Sequence, residues 1–162
     1  MMHIDNVATL SGEEAVRNAT IQLIGKTSRY LRIRSPLLDR DLFEYPEVVD
    51  AISAFARKSR YAEVHILIDY PDRLLNDGHR LVTLMRRLSE KIFIRHYFDE
   101  PDEARDSYIL SDDEGILIKP AGNECEAFFS LTDRVYTKKQ REDFEQEWWK
   151  SPVARQLNTM IL

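Results

Sequence analysis

The chain has 162 residues, 43% of them hydrophobic and 31% charged, with a formal net charge of −5. That length suits one domain with a real core, and the acidic balance disfavours a nucleic-acid-binding role, which ordinarily needs a basic face. A single cysteine, Cys125, excludes an intrachain disulfide framework and fits a reducing compartment.

Ser11-Gly12-Glu13-Glu14 has the form of a capping box. It predicts an N-terminal helix over about 11–26, with Val16, Ala19, Thr20, Leu23 and Ile24 on one face. Tyr30–Arg34 alternates and predicts a strand that ends at Ser35-Pro36. The segment through Tyr45 reads as a loop or short helical turn. Pro46 then opens a helix carrying Val48, Val49, Ile52, Phe55 and Ala56.

Val64–Ile68 is a nearly all-apolar strand, as expected of one covered on both faces. Asp77-Gly78-His79 introduces a third helix, with Asp77 as its cap, Leu81, Leu84, Met85 and Leu88 inward, and Arg80, Arg86 and Arg87 mostly outward. Ile92–Tyr97 is a third strand, followed by an acidic loop at Asp99–Glu103. Ser107–Ile118 reads as a hairpin turning at Asp112-Asp113-Glu114-Gly115, and Ala127–Leu131 as a further strand. The last long helix is expected at about Thr137–Lys150, with Trp148 in the core and Trp149 partly exposed. Ser151-Pro152 reads as the cap and first residue of a short terminal turn. No apolar run approaches the ~20 residues that span a bilayer. Met1–Asp5 lacks a leader's basic and apolar regions, so a cytoplasmic location is expected.

Strands alternating with helices, then a run of antiparallel strands, predict an α/β fold: a mixed sheet flanked by helices in one domain over 1–162. The order of elements over about Tyr30–Lys150 resembles one half of a phospholipase D-like protein with an extra N-terminal helix. The segments Ser35-Pro36-Leu37-Leu38-Asp39, Gly78-His79-Arg80-Leu81 with Arg86-Arg87-Leu88, and Phe144-x3-Trp148-x2-Ser151 carry a second resemblance. They are similar to an uncharacterised bacterial domain family of this degenerate type, sometimes appended to an N-acetyltransferase domain.

The phospholipase D-like resemblance implies an H-x-K-x4-D motif at the hairpin, in which a His attacks phosphorus and a Lys steadies the phosphate. Here those slots hold Arg105, Ser107 and Asp112. Arginine stays protonated and cannot be the nucleophile, although its planar fork can hold an anion. Asp before Gly in a turn is common for local reasons, so turn chemistry is the stronger reading of Asp112.

Open α/β sheets bind ligands at the carboxyl ends of their strands. That rule adds Ser35 and Asp39 after the first strand, Asp69 and Asp72 after the second, and His96 after the third. His79, with Asp77 as orienter, is the remaining candidate base, against a plain packing role in the helix's first turn. His65, mid-strand, reads as a hydrogen-bonded core or face residue. Asp69, Asp72 and Asp77 match no standard metal loop, and Cys125 between acidic neighbours is no nucleophile. Neither a metal nor a cofactor is expected.

The expected function is therefore a non-catalytic phospholipase D-like domain that binds or regulates. Its site would comprise Arg105, Ser107, Asp112, Ser35, Asp69, His79 and His96. The alternative is a cryptic phosphodiesterase or nuclease that uses His79 or His96. The expected partners are a small anion, a second copy of the chain in a homodimer, or an acetyltransferase. A membrane and nucleic acid are not expected. The exposed Trp149 and the apolar end Met160-Ile161-Leu162 are the features that suggest a docking partner.

Overall fold

Along Tyr30–Arg34, Leu31 and Ile33 point to one side of the sheet and Arg32 and Arg34 to the other, all four buried. This alternation organises the whole molecule, because the two faces of the sheet are covered differently. The computed structural model describes residues 7–97, 105–122 and 126–158. The acidic loop at Asp99–Glu103, Cys125 and the Met160–Leu162 end lie outside these residues.

The elements in chain order are β1 (Ala8–Ser11), α1 (Glu13–Lys26), β2 (Tyr30–Arg34), α2 (Arg40–Phe43), α3 (Pro46–Ala56), β3 (Glu63–Ile68), α4 (Pro71–Asp77) and α5 (Arg80–Arg87). There follow β4 (Ile92–His96), β5 (Ser107–Ser111), β6 (Gly115–Lys119), β7 (Glu126–Ser130), α6 (Arg134–Lys150) and α7 (Arg155–Asn158). The strands form a seven-stranded sheet in the order β1-β7-β6-β5-β2-β3-β4. β2, β3 and β4 are parallel, and every other pairing is antiparallel.

One face is covered by several helices. Val16, Leu23 and Ile24 of α1, Val48, Ile52 and Phe55 of α3, and Leu81 and Met85 of α5 pack on Ile33, Ile66, Ile94 and Ile109 of the sheet in the main core. The other face carries α6, whose Phe144 and Trp148 lie one turn apart and pack on Leu67, Tyr108, Leu110, Ile116 and Ile118. Burial of such side chains contributes about 1.5–3 kcal/mol each. Asp133 starts α6 by accepting a hydrogen bond from the Tyr136 amide at 2.9 Å.

Four local expectations are corrected. Ser11 does not cap α1, because it pairs with Glu126 at the end of β1; Gly12, at φ 92°, makes the turn into the helix instead. Asp77 closes α4, an unpredicted helix, and it is His79 that caps α5 by accepting from Leu81 N at 3.1 Å. Arg86 is half-buried rather than outward, its Nε donating to Leu157 O at 2.7 Å. Ser151 ends α6 rather than starting a new turn, with its amide on Trp148 O and its hydroxyl on Glu147 O. Gly115 opens β6 where a Cβ would lie 2.6 Å from Leu23 Cδ1, so α1 sits on the hairpin more closely than a side chain would allow.

Candidate functional site

β2, β3 and β4 run parallel, so Arg34, Asp69 and Tyr97 arrive at the same end of the sheet. β5 starts beside them, with Tyr108 opposite Arg34 in register, and this brings in Arg105. At the centre Arg34 is 2% exposed, and its Nη2 donates to Asp69 Oδ1 at 2.6 Å. Glu147 of α6 links the two arginines: its Oε2 lies 3.6 Å from Arg34 Nε, and its Oε1 accepts from Arg105 Nη1 at 3.1 Å. The Arg105 guanidinium lies 3.6 Å from the centroid of the Tyr97 ring. Burial works against the charge on Arg105, but the Tyr97 hydroxyl and Glu147 outweigh it and hold its pKa above the ordinary arginine value.

Arg105 separates two cavities. On the α6 side lies a space of about 460 Å³, where Arg34, Arg105 and Lys150 face Asp106, Asp143 and Glu147. Its charges balance, and the buried Glu147 Oε2 in its wall has no hydrogen-bond donor. Burial pushes the phenol of Tyr108, in its wall, above the usual tyrosine range. On the other side, a space of about 310 Å³ brings together Arg105, Ser107, Lys119 and Arg40 with Asp39 and Asp41. Lys119 stands opposite Ser107 in register on β6, and its Nζ donates to Asp39 Oδ2 at 3.0 Å. The neighbouring strand thus delivers a lysine beside Ser107.

The seven residues expected at the site separate into two groups. Arg105 and Ser107 line these cavities, and Asp69 lies behind them, paired with the Arg34 that lines the larger one. Ser35 is near in sequence, but its hydroxyl accepts from Leu38 N at 3.0 Å to form a local turn. Asp112 lies at the far end of β5, about 20 Å from Arg105 for seven residues of extended chain. There, at φ 50°, it accepts the backbone amides of Ser28, Arg29 and Tyr30 at 2.8–2.9 Å.

The two histidine candidates stand apart from the charge network. His79 has both ring nitrogens engaged: Nδ1 accepts from Leu81 N, so Nε2 donates to Leu38 O at 2.8 Å. Burial lowers its pKa, against the pull of the Leu38 carbonyl. His96 contacts its neighbour's backbone at Tyr97 O and lines neither cavity. Asp77 is exposed at the end of α4 and does not orient His79.

Sequence reasoning missed Arg34, Tyr97, Lys119 and Glu147. A signal existed for the first: two arginines on one face of an otherwise apolar strand require buried counter-charges. Asp69 meets that need for Arg34, and Glu145 of α6 meets it for Arg32, whose Nε donates to it at 2.8 Å.

Residues 12–160 match the model of the family described as Domain of unknown function (DUF7931). No curated protein sequence matches the chain. Among solved structures it is similar to Nuc from Salmonella typhimurium, a phospholipase D family member, at 18% identity and a TM-score of 0.65, over 91% of this chain and 98% of that one. It is also similar to TrmBL2, an archaeal chromatin protein with a novel mode of DNA binding (13% identity, TM-score 0.65, 93% of this chain). Phosphatidylserine synthase of Haemophilus influenzae Rd KW20 matches at 15% identity with a TM-score of 0.60 over 94% of this chain. The chain spans 54% of TrmBL2 and 41% of the synthase. At these identities the likeness shows a phospholipase D-like fold and no more.

Proposed function

The chain belongs to the DUF7931 family and has a phospholipase D-like fold, and from that premise we propose a non-catalytic domain that binds a small anion. The observation that carries this reading is the composition of the strand-end site. Arg105 and Ser107 stand where the phospholipase D-like resemblance would put the nucleophile and the phosphate-holding lysine, and no histidine is among the described residues that line either cavity. Nucleophilic phosphoryl transfer needs a group that can lose its proton and attack, and a guanidinium cannot.

What remains suits binding. Arg105, Arg40 and Lys119 converge with the Ser107 hydroxyl on the smaller cavity. A planar fork, a point charge and a hydroxyl together suit a phosphate-like oxyanion. Asp39 and Glu147 hold Lys119 and Arg105 in place and would be partly displaced by such a ligand.

Two measurements test this. Incubation with bis-p-nitrophenyl phosphate should give background hydrolysis and no phosphohistidine; robust turnover lost in His79→Ala or His96→Ala would favour a cryptic phosphodiesterase instead. Inorganic phosphate should raise the melting temperature of the wild type more than that of Arg105→Ala or Lys119→Met. Equal shifts in all three would remove the anion site.

A further inference from the structure

A third, larger cavity of about 960 Å³ lies on the other flank of α6, over the edge of the sheet at β4. Its floor is set by register: Arg32, His65 and Phe93 lie side by side across β2, β3 and β4 on the α6 face. Trp148 forms the inner wall, its ring stacked on His65 at 4.7 Å with 3° between the planes. Trp149 follows at the rim, 71% exposed. Adjacent helical residues cannot share a face, so one tryptophan is spent on the core and the other stands at the mouth.

The polar groups in this wall are unevenly satisfied. Arg32 is 6% exposed and its Nε is paired with Glu145, yet its buried Nη1 has no hydrogen-bond acceptor. His65 Nδ1 is likewise buried and without a partner. An unmet buried donor costs about 1–3 kcal/mol, so such a group in a cavity wall marks a place for an acceptor.

The local charge has the matching sign. Arg95 donates to Trp148 O at 2.8 Å while its guanidinium lies 4.6 Å and 5.2 Å from the rings of Trp148 and Trp149. Arg86 likewise donates to a backbone carbonyl. Carbonyls satisfy the hydrogen bonds without neutralising the charge, so both arginines lack a carboxylate partner among the described residues. Burial and the repulsion of Arg32 and Arg95 keep the His65 imidazole neutral near pH 7.

We propose that this cavity binds a small amphiphilic anion: a flat aromatic body carrying one carboxylate, sulfonate or phosphate. The body would lie against Phe93 and the tryptophans, and the anionic group would take the free Arg32 Nη1 and the Arg95 charge. The cavity shares no lining residue with the two beside Arg105, so this inference does not depend on the strand-end reading.

The test uses the protein's own fluorescence, because Trp148 and Trp149 are its two tryptophans and both line the cavity. Titration with 8-anilinonaphthalene-1-sulfonate should quench them saturably, with energy transfer to the probe. The uncharged N-phenyl-1-naphthylamine should bind about tenfold or more weakly, as the loss of a charged hydrogen bond implies. Arg32→Met and Arg95→Leu should erase that preference, and Trp149→Ser, an exposed position that leaves folding untouched, should weaken both probes. Displacement by adenosine monophosphate would identify a nucleotide-like source, and displacement by 1-naphthoate a carboxylate. Equal affinity for the charged and uncharged probes, or unchanged binding in Trp149→Ser, would overturn the proposal.

Discussion

Acidification should destabilise the fold through His65, and the size of the effect follows from where the ring sits. It stacks on Trp148, meets the edge of Phe93 at 5.8 Å, and lies 6.0 Å from Tyr30. The charges that face it are Arg32 and Arg95, Glu145, and Glu63, whose Oε2 is 3.7 Å from Nε2. Burial first, then Arg32 and Arg95, lower its pKa from 6.5 to about 4 against the pull of Glu145.

The unfolded chain therefore takes up this proton before the folded one does. Stability is complete above about pH 6.5 and is lost as the pH falls towards 4. A difference of about 2.5 units at about 1.4 kcal/mol per unit sets an upper bound between about 3 and 4 kcal/mol. His65→Phe keeps a flat ring on Trp148 and removes the titration. Urea unfolding from neutral pH to about pH 4.5 should show the wild type losing about 1–3 kcal/mol more than His65→Phe across that window. His79, whose pKa burial also lowers, titrates in both proteins and cancels in the difference. Parallel acid limbs in the two proteins would refute the argument.

Two further outcomes concern the ends of β5. Arg34→Met strands Asp69, whose side chain is 0% exposed, so a loss of about 3–5 kcal/mol is expected; adding Asp69→Asn should cost less than the sum of the single changes in urea unfolding. Additive losses would mean that the pair is not coupled. Asp112→Ala removes the carboxylate that accepts from three backbone amides and places alanine at φ 50°. It should cost about 2–4 kcal/mol while leaving the phosphate-induced rise in melting temperature intact, and loss of that rise would assign Asp112 to the ligand site.

Much of the fold is written locally. The strand at Tyr30–Arg34 has the boundaries its alternation predicts, and α3 begins at Pro46, where a fixed φ and a missing N–H suit a first helical turn. Trp148 is buried and Trp149 exposed, as helical spacing requires. The misses have one origin. Ser11 and Asp77 carry cap-forming side chains, but β1 needed Ser11 for pairing with β7, and a helix already ended at Asp77. Propensity proposes such roles and tertiary pairing reassigns them.

The site divides in the same way. That Arg105 and Ser107 stand near the start of a hairpin is legible from position along the chain, because the hairpin that frames them is a local structure. That Asp69 belongs with Arg105 while Asp112, His79 and His96 do not depends on which strand ends meet. That Lys119 faces Ser107 depends on β5–β6 register, and that Glu147 links two arginines depends on how α6 lies across the sheet. These are contacts between segments 12 to 113 residues apart, held by hydrophobic burial that has no preferred partner along the chain. Sequence alone determined most of the elements and the acidic balance. Only packing decided which charges share a cavity, because ion pairing and burial act across space, where spacing along the chain carries no information.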